Sequence, residues 1–317
     1  MSLLSLLSLL SLLSLLSLKI KKKYMKEKVI NKEVLKIKNK HGDNLNTDFR
    51  YNPDSDKLPL VIFCHGFKGF KDWGCFPYIM DKIASENNFC VSFNFSYNGT
   101  GDKEEEQSDF TRLDLFAENT FTRELDDLGS VIDFLFTHKD EFSYDTDNIT
   151  LIGHSRGGGT AILKTAEDKR IKKLIALSAV NNFDRYTDSL KKKWKENGYL
   201  EVLNSRTNQM MRQNYTLIED LEKNQQRLDI QKAIKVIDVP LLLIHGTQDL
   251  SVDYSNSEDL YTRHIENNDS AKEKTELVLI ENTGHTFGAV HPFAGTTKAL
   301  EEVITFILDF LKKNFNR

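Results

Sequence analysis

Ile149-Thr150-Leu151-Ile152-Gly153-His154-Ser155-Arg156-Gly157-Gly158-Gly159 is the stretch from which the fold can be read. Residues 149–152 form a short apolar run, read as a buried strand, and residues 159–166 read as a helix. Between them lies Gly-x-Ser-x-Gly. A serine at a sharp strand-to-helix turn takes strained backbone angles. Side chains two residues before and two after it would collide, so Gly153 and Gly157 are needed. The helix that follows points its N-terminus at the serine and favours negative charge there. The five-residue pattern is weak by itself; the strand before it and the helix after it make it specific. The plainer alternative is a glycine-rich turn with an incidental serine.

Working outward, short apolar runs alternate with helical patterns. Residues 34–38 and 45–51 flank His41-Gly42-Asp43-Asn44 and predict two strands joined by a turn. Strands are further predicted at 58–64, 89–95, 174–180, 240–244 and 277–280. Helices are predicted at 77–84, at 119–136 with Leu125, Leu128, Ile132 and Leu135 on one face, and at 297–312. Apolar strands alternating with helices predict an α/β fold, a mainly parallel central sheet flanked by helices on both faces. Ligands of such sheets sit at the carboxyl ends of the strands. Residues 181–239 break the alternation, with far more chain than a usual crossover. That segment is polar and looks largely helical, with Trp194, Tyr199, Met210, Met211 and Tyr215 scattered through it. It is read as a helical lid over the strand ends; the alternative is a structural excursion with its own small core.

A serine hydroxyl needs an adjacent base to act as a nucleophile near neutral pH. In this arrangement the chain order is serine, acid, histidine. Asn282-Thr283-Gly284-His285 follows the 277–280 strand, which makes His285 the base; His291, beside Pro292, is the rival and is read as a pocket or structural residue. His245-Gly246-Thr247-Gln248-Asp249 follows the 240–244 strand, which makes Asp249 the orienting acid. Asp253 is the alternative, at a helix start where an aspartate often only caps. Two backbone donors for an oxyanion are expected: the N–H of Arg156, next to the serine, and that of Phe67 in His65-Gly66-Phe67 after the 58–64 strand. His154, Trp73 and His291 are candidate substrate contacts, although His154 and Arg156 could equally support the turn. His65 and His245 are read as local packing or hydrogen-bonding residues. Histidines and acids nowhere take metal-ligand spacing, no phosphate-binding Gly-Lys-Ser/Thr follows the glycines, and no cofactor is expected.

Taken together, His65-Gly66-Phe67, Tyr97-Asn98-Gly99-Thr100-Gly101, Gly153 to Gly158, His245 to Asp249 and Gly284-His285 resemble the α/β-hydrolase superfamily, over most of the chain from about residue 29 onward. The insertion resembles the lid of cinnamoyl and feruloyl esterases. The loop from Gly66 to Trp73 is similar to that of hydrolases related to acylaminoacyl peptidases and dienelactone hydrolases. The resemblance implies a serine hydrolase cleaving carboxylic esters through an acyl-enzyme. Amide or thioester hydrolysis, as by an acyl-peptidase, is the alternative, and a non-catalytic binding protein of the same fold is a third. Thr100 stands where such esterases often carry histidine, which leaves substrate contacts there open. The peptidase relatives carry a large N-terminal propeller for which this chain has no segment, so a dedicated oligopeptidase is not expected.

The bulk properties agree. The chain of 317 residues carries 28% charged and 39% hydrophobic residues, ordinary for a globular protein, and a net charge of −4, which speaks against a nucleic-acid partner. Its three cysteines, Cys64, Cys75 and Cys90, make no disulfide framework and fit a reducing, cytoplasmic setting; Cys64 and Cys90 read as small buried hydrophobes. Residues 2–18 repeat Ser-Leu-Leu and are followed by Lys19 and Lys21 to Lys23. The run could be a membrane anchor, a signal peptide or a low-complexity appendage. The last is preferred, because a three-residue period drifts around a helix, and the folded domain is then expected at 25–317. The partner expected is a small ester or acyl-peptide; a homodimer is left open.

Overall fold

In a computed structural model, residues 29–204, 207–266 and 269–315 are described; the Ser-Leu-Leu repeat lies outside them. Strand β1 (Asn31–Lys38) alternates exposed and half-buried residues along most of its length, the signature of an edge strand. It pairs antiparallel with β2 (Asn44–Tyr51), Asn31 opposite Tyr51 and Lys38 opposite Asn44. Then follow β3 (Leu58–Cys64), α1 (Phe76–Ser85), β4 (Phe89–Phe93), α2 (Leu113–Ala117), α3 (Phe121–Thr137), β5 (Tyr144–His154), α4 (Arg156–Glu167) and β6 (Ile171–Leu177).

The 181–239 insertion holds α5 (Asp188–Asn197), β7 (Tyr199–Asn204), β8 (Gln209–Asn214), α6 (Thr216–Lys223) and α7 (Ile230–Ala233). The chain closes with β9 (Leu241–Gly246), α8 (Ser255–Ile265), α9 (Asp269–Lys274), β10 (Thr275–Ile280) and α10 (Lys298–Lys312).

Eight strands form one sheet in the order β1-β2-β4-β3-β5-β6-β9-β10. β2 runs antiparallel to β4, and from β4 to β10 every neighbour is parallel. The expected mainly parallel sheet is therefore present, with an antiparallel hairpin at one edge. Its side chains divide by the period of two. Leu60 and Ile62 of β3 enter the core under α3 and α4, whereas Val61 and Phe63 enter the core under α1 and α10. Each such residue is fully buried, and each burial is worth about 1.5–3 kcal/mol. Helix α10 presents Leu300, Val303, Ile304, Ile307 and Phe310 to the sheet, and Thr297 caps it by accepting the Leu300 N–H at 3.0 Å.

The insertion keeps helices, as expected, and adds a hairpin that was not expected. Gly198, at φ 78°, closes α5, and β7 and β8 then pair antiparallel as a hairpin. Tertiary contact selects this shape. Met211 and Gln213 point inward two residues apart. Met211 packs with Phe70, Phe110 and Phe116, while Gln213 donates to the Phe116 carbonyl at 3.0 Å and accepts from the Trp194 indole at 2.8 Å. Because the strands are parallel, the loops after β3, β5, β9 and β10 all emerge at one end of the sheet, and the insertion leaves β6 at that same end.

Candidate active site

Ser155 joins β5 to α4 with φ 58° and ψ −120°, a conformation that costs a non-glycine residue roughly 1–3 kcal/mol. Neighbouring backbone holds it there. Its N–H donates to Leu177 at 2.9 Å, and its carbonyl accepts from Gly158 at 3.0 Å and Val180 at 3.3 Å. The flanking glycines are required for space: a Cβ on Gly153 would lie 2.3 Å from the Gly157 carbonyl oxygen, and one on Gly157 would lie 2.3 Å from that of His65. Helix α4 begins at Arg156, ahead of the expected residue 159. Gly66 lies closer still to the serine, where a Cβ would meet Ser155 Cβ at 2.9 Å. The loop after β3 thus passes against the serine, and Phe67 follows Gly66 in the wall of the same cavity. The Arg156 N–H is a first-turn donor of α4, which helix geometry leaves without an intrahelical partner.

The loops after β9 and β10 bring Asp249 and His285 together: His285 Nδ1 donates to Asp249 Oδ2 at 2.6 Å. Asp253 does not join them; it is exposed and accepts the Ser255 N–H ahead of α8. Asp249 Oδ1 accepts two backbone donors, Ser251 N–H at 2.8 Å and Val252 N–H at 2.9 Å. His245, buried on β9, adds Nε2 at 3.1 Å from the same Oδ2 that faces His285, and its Nδ1 accepts from Ser257 Oγ at 2.7 Å. Burial works against ionisation of Asp249, but hydrogen bonds from His245 and His285 and the His285 charge outweigh it and hold the carboxyl well below its usual range. His245, expected to pack or hydrogen-bond locally, makes its local bond to the acid itself.

His154 and His65 brace the site. His154 Nε2 donates to the His285 carbonyl at 2.9 Å, and its ring lies 4.7 Å from the His285 ring, centre to centre. His65 Nδ1 donates to the Gly66 carbonyl at 2.9 Å, while its Nε2 accepts the Phe95 N–H at 3.3 Å. Burial pushes both imidazoles down, His154 to about 3 and His65 to about 4. In the unfolded chain each would protonate near pH 6.5. Between those values the unfolded chain binds more protons, so stability is full above about pH 6.5 and falls as the pH drops. Each histidine contributes up to about 1.4 kcal/mol per pH unit. His154→Gln is therefore expected to flatten the dependence of stability on pH by about one proton between pH 6 and 5. Urea unfolding at pH 7, 6 and 5 measures this; an unchanged slope would exclude a buried neutral His154.

A cavity of about 590 Å³ opens at Ser155 and His285, within the range of small-molecule sites. Phe67, Trp73, Phe76, Phe121 and His154 form part of its wall, and the insertion contributes Asn182, Phe183, Arg185, Tyr186 and Asn204. Arg156 lies over the Phe67 ring at 4.1 Å and donates to buried Glu124 at 3.3 Å. Burial pushes the Glu124 carboxyl up against the opposing pull of Arg156. His291 is not in the cavity wall: its Nδ1 accepts the Gly74 N–H at 2.8 Å, and its ring stacks on Trp73. It supports a wall residue, and its expected substrate contact is corrected to that extent. Glu124 and the insertion residues escaped sequence reasoning, since no motif links them to the serine. The three cysteines are buried, with Cys75 pushed up to about 12 by burial. Among the described residues, no group of three or more His, Cys, Asp or Glu is placed to hold a metal ion, and no helix is long and apolar enough to cross a membrane.

Comparison with known proteins agrees with this architecture. Residues 93–317 match the Prolyl oligopeptidase family. An uncharacterised 31.7 kDa protein of the traX-finO intergenic region of Escherichia coli is 28% identical over 147 residues, so the chain spans about half the length of that relative (46%). Est1E from Butyrivibrio proteoclasticus, solved with ferulic acid bound, superposes with a TM-score of 0.64 at 20% identity, covering 87% of this chain and 97% of that one. The esterase Pf2001 of Pyrococcus furiosus superposes with a TM-score of 0.57 at 20% identity, covering 89% and 90%. The fold is the α/β-hydrolase fold.

Proposed function

The chain belongs to the prolyl oligopeptidase family, and from that premise we propose that it hydrolyses carboxylic esters through an acyl-enzyme formed on Ser155. The observation that carries the reading is Asp249 held against His285 Nδ1 at 2.6 Å, in a cavity that His285 shares with a serine on a strained turn. In the proposed cycle, Ser155 Oγ attacks the ester carbonyl as His285 Nε2 takes its proton. Asp249 keeps the imidazole in the tautomer that presents Nε2 as acceptor, then stabilises the imidazolium. The Phe67 and Arg156 N–H groups receive the oxyanion, at roughly 3 kcal/mol of barrier lowering for each such donor. Collapse passes the proton from His285 to the leaving alkoxide. Water, activated by the same histidine, then releases the acid and restores Ser155.

Two further readings rest on this one. Because the insertion supplies part of the cavity wall, it is proposed to act as a lid that shapes substrate choice. The aromatic wall of Phe67, Trp73, Phe76 and Phe121 suits an aromatic or apolar acyl group, in keeping with the ferulic acid bound by Est1E. Amide or acyl-peptide cleavage by the same residues is the second reading, favoured by the family match itself. Three buried cysteines with no disulfide among them support a reducing, cytoplasmic setting.

A fluorophosphonate probe tests the nucleophile directly. Expected is one adduct per chain, mapped by mass spectrometry to the peptide containing Ser155 and missing from Ser155→Ala. An adduct on another serine, or none, would sink the assignment.

A further inference from the structure

The wall of the cavity at Ser155 is one-sided in charge. Among the described residues it contains Lys68, Arg156 and Arg185 and no aspartate or glutamate. Arg156 has a counter-ion in Glu124 behind it. The other two are anchored by neutral backbone oxygens: Lys68 Nζ donates to the Leu203 carbonyl at 3.2 Å, and Arg185 Nη2 to the Ser251 carbonyl at 2.9 Å. Acids do lie close in sequence, but they are engaged by other cations. Asp184 pairs with Lys191 at 2.6 Å, and Asp72 pairs with Lys71. Asp249, the nearest acid to the reacting groups, faces the two histidines and the Ser251 and Val252 N–H groups. Partial burial pulls the Lys68 ammonium below its usual range.

A guanidinium has five N–H donors and an ammonium three, so one carbonyl leaves each with donors to spend. Lys68 is half-buried and Arg185 exposed, and a cleft lined by one sign of charge concentrates ligands of the other. The two side chains come from separate loops, the one carrying Phe67 and the start of the insertion, and both line the one cavity.

Resting on the hydrolase reading above, we propose that the ester taken by this cavity carries a free carboxylate, drawn in and held by Lys68 and Arg185. The test compares matched pairs of esters. In the acyl group, mono-4-nitrophenyl adipate is set against 4-nitrophenyl hexanoate. In the leaving group, 5-(hexanoyloxy)-2-nitrobenzoate, with its nitro group likewise para to the ester oxygen, is set against the same hexanoate. At least one charged ester is expected to show kcat/KM roughly ten-fold or more above the neutral one at low ionic strength. That ratio should shrink in 0.5 M salt, by screening. It should fall toward one in Lys68→Gln and Arg185→Gln, singly in part and together in full. Hydrolysis of hexanoate with both charged esters equal or worse overturns the carboxylate proposal and leaves the hydrolase reading standing. A preference that survives both substitutions also overturns it. No Ser155-dependent turnover of any of these esters overturns the ester reading and this inference with it.

Discussion

Ser155→Ala is expected to lower kcat/KM for a short-chain 4-nitrophenyl ester by roughly 10⁴- to 10⁶-fold, the scale on which loss of a triad nucleophile acts. The substitution removes one oxygen from a half-buried side chain and leaves the backbone contacts of residue 155 with Leu177, Gly158 and Val180 intact. Thermal unfolding should therefore change little, which separates a lost nucleophile from a lost fold. The residual rate should come from the oxyanion donors and binding alone. Equal rates in parent and variant would show that another group attacks the ester. Absence of any rate in the parent would count first against the ester reading and would send the amide and acyl-peptide substrates to be tried next.

Asp249→Asn carries the second large effect, a loss of about 10⁴-fold in kcat. Every partner of the Asp249 carboxylate, His285, His245, Ser251 and Val252, sits as a donor or holds a proton toward it. An amide cannot satisfy that set, because its NH₂ must face donors on one side or the other. If it faces the imidazole, His285 turns to the tautomer whose Nε2 carries the proton and can no longer accept one from Ser155. If it faces the Ser251 and Val252 N–H groups, it opens the turn that holds the acid, costing about 1–3 kcal/mol for each buried donor left unmet. Asp253→Asn is the control and should stay within about two-fold, as surface substitutions generally do. Ser155→Ala/Asp249→Asn should be scarcely slower than Ser155→Ala, because the two side chains act as a unit. Similar losses at both aspartates would remove Asp249 from its proposed role.

How far the site could be read from the chain depends on how local each constraint is. The elbow was legible because its glycines flank the serine within five residues, and the Gly153 clash with Gly157 is itself local. His285 was legible because a parallel sheet delivers its loops to one end in a set order. The choice between Asp249 and Asp253 was not closed in the sequence: both follow β9, both accept backbone N–H groups, and only the folded loop shows which one meets the imidazole. His245 carried no signal of its own, since its bond to Asp249 exists only when the 246–252 loop turns back over β9.

Periodicity and turn chemistry therefore determined the sheet, its flanking helices, the strained serine and the order of the candidate residues. They act between neighbours along the chain and survive without knowledge of the rest. The tertiary structure alone decided the hairpin in the insertion, which exists because Met211 and Gln213 find Phe116 and its neighbours. It alone set His154 and His291 behind the residues that they support. It alone gathered Lys68 and Arg185 around one cavity with no acid among the described residues of its wall. Burial, hydrogen-bond partnership and net charge at a site are sums over groups distant in sequence, and they take values only once the chain has folded.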